Sequence, residues 1–179
     1  MPRNPRIVVP GAPHHVVQRG NRRQQTFFSS DDYDHYIDLM ADACRRTGTG
    51  VWAWCLMPNH VHFLLVPSAS GALADVMGSV HQTYAWVINR RHGWQGCLWQ
   101  GRFLSEGLND EDAAYVARYI EINPVRARMT PTPEAWRWSS ASGRISKLGD
   151  RLVRAAPPRP MAGGGDWSAY LAKGMRTGT

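Results

Sequence analysis

Cysteine is scarce: three residues, Cys44, Cys55 and Cys97, in a chain of 179. They form no C-x-x-C pair and leave one unpaired, which argues against a disulfide scaffold or a zinc knuckle and for a reducing compartment. Long apolar runs are also missing. Nothing approaches the ~18 apolar residues of a membrane-spanning helix, and the opening "MPRNPRIVVPGAP" is basic without a signal-peptide core. The expectation is a cytoplasmic protein. No internal repeat divides the chain, whose length suits one compact domain. Acidic residues are few beside basic ones, 14 against 21, giving a formal charge of +7 and a pI near 9.8. That imbalance draws the molecule towards polyanions, nucleic acid first among them.

Aromatic residues, by contrast, are plentiful. Eight tryptophans and six tyrosines are interleaved with arginines, a mixture that fills a core and also stacks on bases. "HHVVQRGN" (14–21) has the pattern of a short strand. The following "SSDDYDHYIDLMADACRRTG" sets Tyr33, Tyr36, Ile37, Met40, Ala41 and Cys44 at helical spacing, with Ser and Asp to cap it and Gly48 to stop it. "GVWAWCLM" and "HVHFLLVP" are strand-like runs joined by the turn-forming pair Pro58-Asn59. "GALADVMGSVHQTYAWVINRRHG" is a long amphipathic helix, "GCLWQGRFLSEGL" returns to strand, and Asp110 opens a last helix that Pro124 is expected to stop. The order β-α-β-β-α-β-α predicts an α+β, ferredoxin-like split βαβ antiparallel sheet with helices on one face and an extra C-terminal helix. Beyond about residue 130, stretches such as "APPRPMAGGG" suggest an irregular extension.

Inside "CLMPNHVHFLLVP" (55–67), His60 and His62 stand at alternate strand positions, hence on one face ~6.6 Å apart at the backbone. Such a pair either converges on a cation or simply hydrogen-bonds. The last helix adds Tyr119 and Asn123, four residues apart and so on one helical face. Two imidazoles and an amide oxygen make a neutral ligand set that leaves a divalent cation its full charge to polarise a phosphate. A phenol beside it is equipped to form a phosphodiester-derived ester, and with a free pKa near ~10 tyrosinate is a good leaving group, so the linkage is reversible.

The blocks "PGAPHHVVQRGNRR", "MPNHVHFLLVP", "LWQGRF" and "RYIEINPVRARM" together resemble the REP-associated tyrosine transposases, relatives of the single-strand insertion-sequence transposases of the HUH superfamily. The resemblance covers roughly residues 5 to 140. It implies a nuclease domain over 1–140, and composition sets a basic Pro/Gly-rich extension, partly flexible, over 141–179. It also implies Mg²⁺ or Mn²⁺ held by His60, His62 and Asn123, and Tyr119 as the nucleophile. The implied substrate is single-stranded DNA carrying a hairpin, cleaved through a 5′-phosphotyrosine intermediate; monomer and homodimer both remain open. At "HH" the chain departs from the aromatic-His pair expected there, so no role is carried over to His14 or His15.

Other residues compete for these roles. Tyr115 lies one turn before Tyr119 on the same stripe. Arg19, Arg22, Arg23, Arg90, Arg91, Arg102, Arg118, Arg126 and Arg128 form a candidate DNA-contact set, though any one of them alone reads as a solvated charge. Glu121 and Asp110 read as solvated helix carboxylates. Trp136 and Trp138 are expected to pack on the domain. A non-catalytic or domesticated hairpin binder and a water-activating metal hydrolase are the rival functions, and neither uses a tyrosine nucleophile.

Overall fold

The computed structural model describes residues 7–147, 149–153 and 166–176. Its first strand alternates in burial: in β1 (His14–Arg19) residues 14, 16 and 18 are buried and 15, 17 and 19 half-buried, so the strand is covered on both faces, one more tightly than the other. β2 (Gly50–Met57) and β3 (His60–Val66) form the expected hairpin across Pro58-Asn59, and β4 (Leu104–Gly107) completes the sheet. The strand order is β2-β3-β1-β4, antiparallel throughout, with Val17 opposite His62 and Arg19 opposite His60. This is the α+β arrangement expected from the order of elements.

α1 (Ser30–Thr47) and α2 (Ala72–His92) cover one face of the sheet, where Val16, Val61, Phe63 and Leu65 meet Tyr36, Met40, Met77 and Tyr84. Each such side chain, fully withdrawn from water, stabilises the fold by about 1.5–3 kcal/mol. A capping box starts α1: Asp32 N–H donates to the Ser29 hydroxyl, Ser29 N–H donates to the Asp32 carboxylate, and Gly48 ends the helix at φ 66°. α3 (Asp110–Arg126) lies on the opposite face, where Ala113, Ala117 and Ile120 cover Ala53, Cys55, Met57 and Leu64.

Three expectations need correction. Pro124 does not stop α3, which runs on to Arg126. Proline removes the N–H that would reach the Ile120 carbonyl, and the Asn123 side-chain amide donates towards that carbonyl at 3.4 Å and to the Tyr119 carbonyl at 2.8 Å. The fourth strand is also shorter than "GCLWQGRFLSEGL". Residues before Leu104 follow β1 only through irregular contacts, Gln100 N–H to the Arg19 carbonyl and a bridge between Gly20 and Trp99, while Gly96 and Gly101 turn the chain at φ 93° and 60°.

Finally, the extension is not uniformly irregular, for α4 (Ser140–Ser146) and α5 (Trp167–Arg176) are helical. Leu171 of α5 is buried with Ile122 of α3 and Ala141 of α4. "APPRPMAGGG" (156–165) lies outside the described residues. As expected, Trp136 and Trp138 pack on the domain: the Trp136 indole donates to the Leu56 carbonyl at 2.9 Å and Trp138 stacks on Tyr33 at 4.1 Å.

Candidate functional site

The register of β1 on β3 assembles an imidazole cluster on the face that α3 covers. Side chains directly opposite in adjacent strands share a face, so Arg19 stands beside His60, and His15 lies one pair further along the sheet from His62. The His60 and His62 rings meet edge to face at 4.9 Å, and His15 stacks on His62 at 5.4 Å with Nε2 to Nδ1 at 3.2 Å. His15 is thus a site residue that motif reading left without a role. The available signal was strand alternation, which sets it in phase with Val17 and Arg19. His14 faces the other way, buried, where its Nδ1 donates to the Ala12 carbonyl and its Nε2 accepts from Val9 N–H.

α3 brings Tyr119 over this cluster. Its ring stands edge to face against His62 at 5.9 Å and His15 at 6.1 Å, with the Arg126 guanidinium 5.5 Å from the ring centre. Tyr115, one turn earlier, is 58% exposed and pairs instead with Arg118, which is sandwiched between it and Tyr170 of α5. The helix therefore turns Tyr119 towards the histidines and Tyr115 away from them. Asn123 lies one turn beyond Tyr119. Both carbonyls beside its amide only accept, so its nitrogen must face them, and the oxygen is the atom left to offer outwards.

Burial depresses all three histidines. His60 falls to about 4, with the Arg19 charge adding to desolvation. His62 lies well below its ordinary value, through burial first and then through His60, His15 and Arg19. His15 is lowered by burial, against a smaller opposing pull from Glu106. Near neutral pH all three are uncharged imidazoles, the form that ligates metal.

The hydrogen bonds then decide which nitrogen is free. Asn59 Oδ1 lies 2.6 Å from His60 Nδ1 and holds the proton there, leaving Nε2 as the lone-pair donor. His62 Nδ1 lies 3.2 Å from His15 Nε2, and with the proton of that bond on His62 Nδ1 its Nε2 is the free nitrogen. Among the described residues no group of three His, Cys, Asp or Glu side chains is placed to hold a metal, so an ion here needs the Asn123 oxygen as well. Two Nε2 atoms and one amide oxygen are a donor set that suits a divalent cation with positions left for phosphate oxygens.

The arginines divide into groups. Arg19, Arg23 and Arg102 line a cleft of about 820 Å³ at the β1–β4 edge, and Arg19 stands opposite His60. Arg22 and Arg23 hold left-handed backbone at φ 54° and 60° in the tight turn after β1, and Asn59 donates its amide to the Arg23 carbonyl at 3.0 Å. Arg91 is bound to the buried carboxylate of Asp32, and Arg90 lies over Trp86 at 5.4 Å. Arg128 is exposed just past α3 at φ 57°.

Asp110 is exposed at the start of α3, as expected, but Glu121 is a correction, being fully buried. It accepts from Ser140 Oγ at 2.6 Å, Arg144 Nε at 3.0 Å and the Trp167 indole at 2.6 Å. It ties α3 to α4 and α5 and takes no part in the imidazole cluster.

Residues 9–123 match the family described as transposase IS200 like. Among solved structures, the chain is similar to a REP-associated tyrosine transposase bound to a REP hairpin, at 20% identity and TM-score 0.63, covering 87% of this chain and 93% of that one. It is also similar to a putative transposase from Deinococcus radiodurans R1, at 21% identity and TM-score 0.46 over 66% and 95% of the two chains. No curated protein matches.

Proposed function

Because the chain belongs to the IS200-like transposase family, we propose that it nicks and rejoins single-stranded DNA beside a hairpin through a covalent bond to Tyr119. The observation that carries this reading is the phenol of Tyr119 against the face of His62, with Asn123 one turn beyond. In the step itself the Tyr119 oxygen bonds to phosphorus while the bond to the 3′ oxygen breaks. The phenol proton is lost, the departing oxygen gains one, and the products are a 5′-phosphotyrosine and a free 3′-hydroxyl. Nε2 of His60, Nε2 of His62 and Oδ1 of Asn123 would hold Mg²⁺ or Mn²⁺, which would supply polarisation of the phosphate.

The chain's own residues do the rest. Asn59 and His15 fix the ring orientation of the two ligating histidines. Arg19, Arg23 and Arg102 present positive charge along the cleft at the β1–β4 edge, where a phosphate backbone fits. α3 holds nucleophile and amide in one rigid turn, which positions the attacking oxygen in advance. A hairpin is the proposed partner because the structurally similar REP-associated transposase is bound to one. The cytoplasm, on chromosomal DNA, is the proposed location.

The test uses hairpin oligonucleotides labelled at either end of the single strand and incubated with protein and Mg²⁺ or Mn²⁺. On a denaturing gel the label on the 3′ side of the cut is expected to migrate with the protein, and the other to be released. A non-catalytic hairpin binder leaves both oligonucleotides intact, and a metal hydrolase cuts without retaining either label.

A further inference from the structure

α3 carries two arginines that lie over tyrosine rings, and they are engaged differently. Arg118 is sandwiched, its guanidinium 5.2 Å from the ring centre of Tyr115 and 4.5 Å from that of Tyr170. Arg126 meets one ring, that of Tyr119, at 5.5 Å, and is otherwise exposed. Carboxylates hold several of the other arginines, as Asp32 holds Arg91, Glu121 holds Arg144 and Asp34 holds Arg151, whereas Arg126 makes no ion pair among the described residues.

The helix itself brings this charge to the ring. Arg126 lies seven residues beyond Tyr119, two turns on along the same face and ~10.5 Å further along the axis. Helical side chains lean back towards the N-terminus, so a long one at this position reaches over the ring that precedes it. The contact depends on α3 running past Pro124 to Arg126. A helix that stopped at the proline would leave the charge off this stripe.

A guanidinium drawn to the face of a ring keeps its N–H donors in its own plane, free for a second partner. In the step proposed above, negative charge gathers on the non-bridging oxygens of the phosphate as the bond from the Tyr119 oxygen forms and the bond to the 3′ oxygen breaks. We infer that Arg126 is a further catalytic residue of this reaction: it steadies the Tyr119 ring and donates from its free edge to a non-bridging oxygen of the phosphate being transferred to that ring. A planar fork of N–H groups matches phosphate oxygens, and a fixed positive charge counts for most where charge develops. The inference rests on the Tyr119 reading above. It separates Arg126 from Arg19, Arg23 and Arg102, whose task is to grip the strand.

Arg126→Ala tests it, with a labelled single-stranded hairpin and Mg²⁺ or Mn²⁺. Because the side chain is exposed, the variant is expected to melt as the unaltered protein does and to bind the hairpin within about threefold of its affinity. With DNA saturating, the single-turnover rate of adduct formation is expected to fall by about 100-fold, as for the loss of one donor aimed at developing charge. Guanidinium ion at tens of millimolar, far below the molar range that unfolds domains, is expected to raise that rate by about tenfold or more, and the same concentration of NaCl is not. A rate within about threefold of normal at saturating DNA would place Arg126 with the strand-gripping arginines, and a loss that guanidinium repairs no better than NaCl would make it a structural contact. Either result overturns the inference and leaves the transposase reading intact, because the unaltered protein still forms the adduct. If the unaltered protein forms none, the transposase reading fails and this inference falls with it.

Discussion

The side-chain amide of Asn123 donates to the backbone carbonyl of Tyr119 at 2.8 Å, so the proposed amide ligand is bonded to the residue proposed as nucleophile. The same amide turns towards the carbonyl that Pro124 leaves without an N–H partner. One side chain thereby continues the helix past a proline and directs its own oxygen out of the helix.

Asn123→Ala removes both functions. The adduct rate is expected to fall by about 10–100-fold, while stability falls by only about 1 kcal/mol, the net worth of the lost hydrogen bonds. Adduct kinetics and urea unfolding measured on the same preparation separate the two effects. A rate within about twofold of the unaltered protein would remove Asn123 from the ligand set.

Asn59 is expected to act through His60, because its Oδ1 fixes the Nδ1 proton. Asn59→Ala should raise the Mn²⁺ concentration needed for half-maximal cleavage by about 10–100-fold and leave the rate at saturating Mn²⁺ closer to normal. An unchanged metal requirement would contradict this positioning role.

The depressed histidines give the fold a definite pH response. His60 at about 4, His81 at about 3 and His62 well below its ordinary value are held neutral by burial, whereas the unfolded chain protonates near 6.5. As pH falls below ~6.5 the unfolded state gains protons that the folded state refuses, so stability is whole above that pH and is lost on the way down. In the presence of chelator the urea midpoint should be lower near pH 5 than near pH 7.5, and His81→Gln should narrow the gap. A midpoint that holds or rises on acidification would contradict this.

Glu121 joins three helices from a fully buried position. Glu121→Ala leaves Arg144, Ser140 and the Trp167 indole without their acceptor and should cost about 3–5 kcal/mol of stability. Chemical denaturation measures it, and a loss below about 1 kcal/mol would mean that α4 and α5 are held by their apolar contacts alone.

Much of this was legible in the chain. The helical spacing of Tyr36, Met40 and Cys44, the Ser-Asp cap and the Pro58-Asn59 turn are local signals, and α1 and the β2–β3 hairpin form where they indicate. The pairing of His60 with His62, and of Tyr119 with Asn123, follows from the periods of strand and helix. What local patterns do not carry is register and distant partnership. His15 joins the cluster only because β1 pairs with β3 so that Val17 faces His62. Glu121 reads as a surface carboxylate until Trp167, 46 residues later, folds back onto it. Pro124 reads as a helix stop because the compensating amide lies on a side chain.

The central claim is that Tyr119, rather than the exposed Tyr115 one turn away, becomes bonded to DNA. The most direct measurement is mass-spectrometric mapping of the adduct, with Tyr119→Phe and Tyr115→Phe compared on a labelled single-stranded hairpin in Mg²⁺ or Mn²⁺. Tyr119→Phe removes one oxygen and should keep its fold and its DNA binding yet form no adduct, while Tyr115→Phe should form it at close to the normal rate. An adduct that survives in Tyr119→Phe and disappears in Tyr115→Phe would contradict the account, and would mean that α3 presents its other tyrosine to the phosphate.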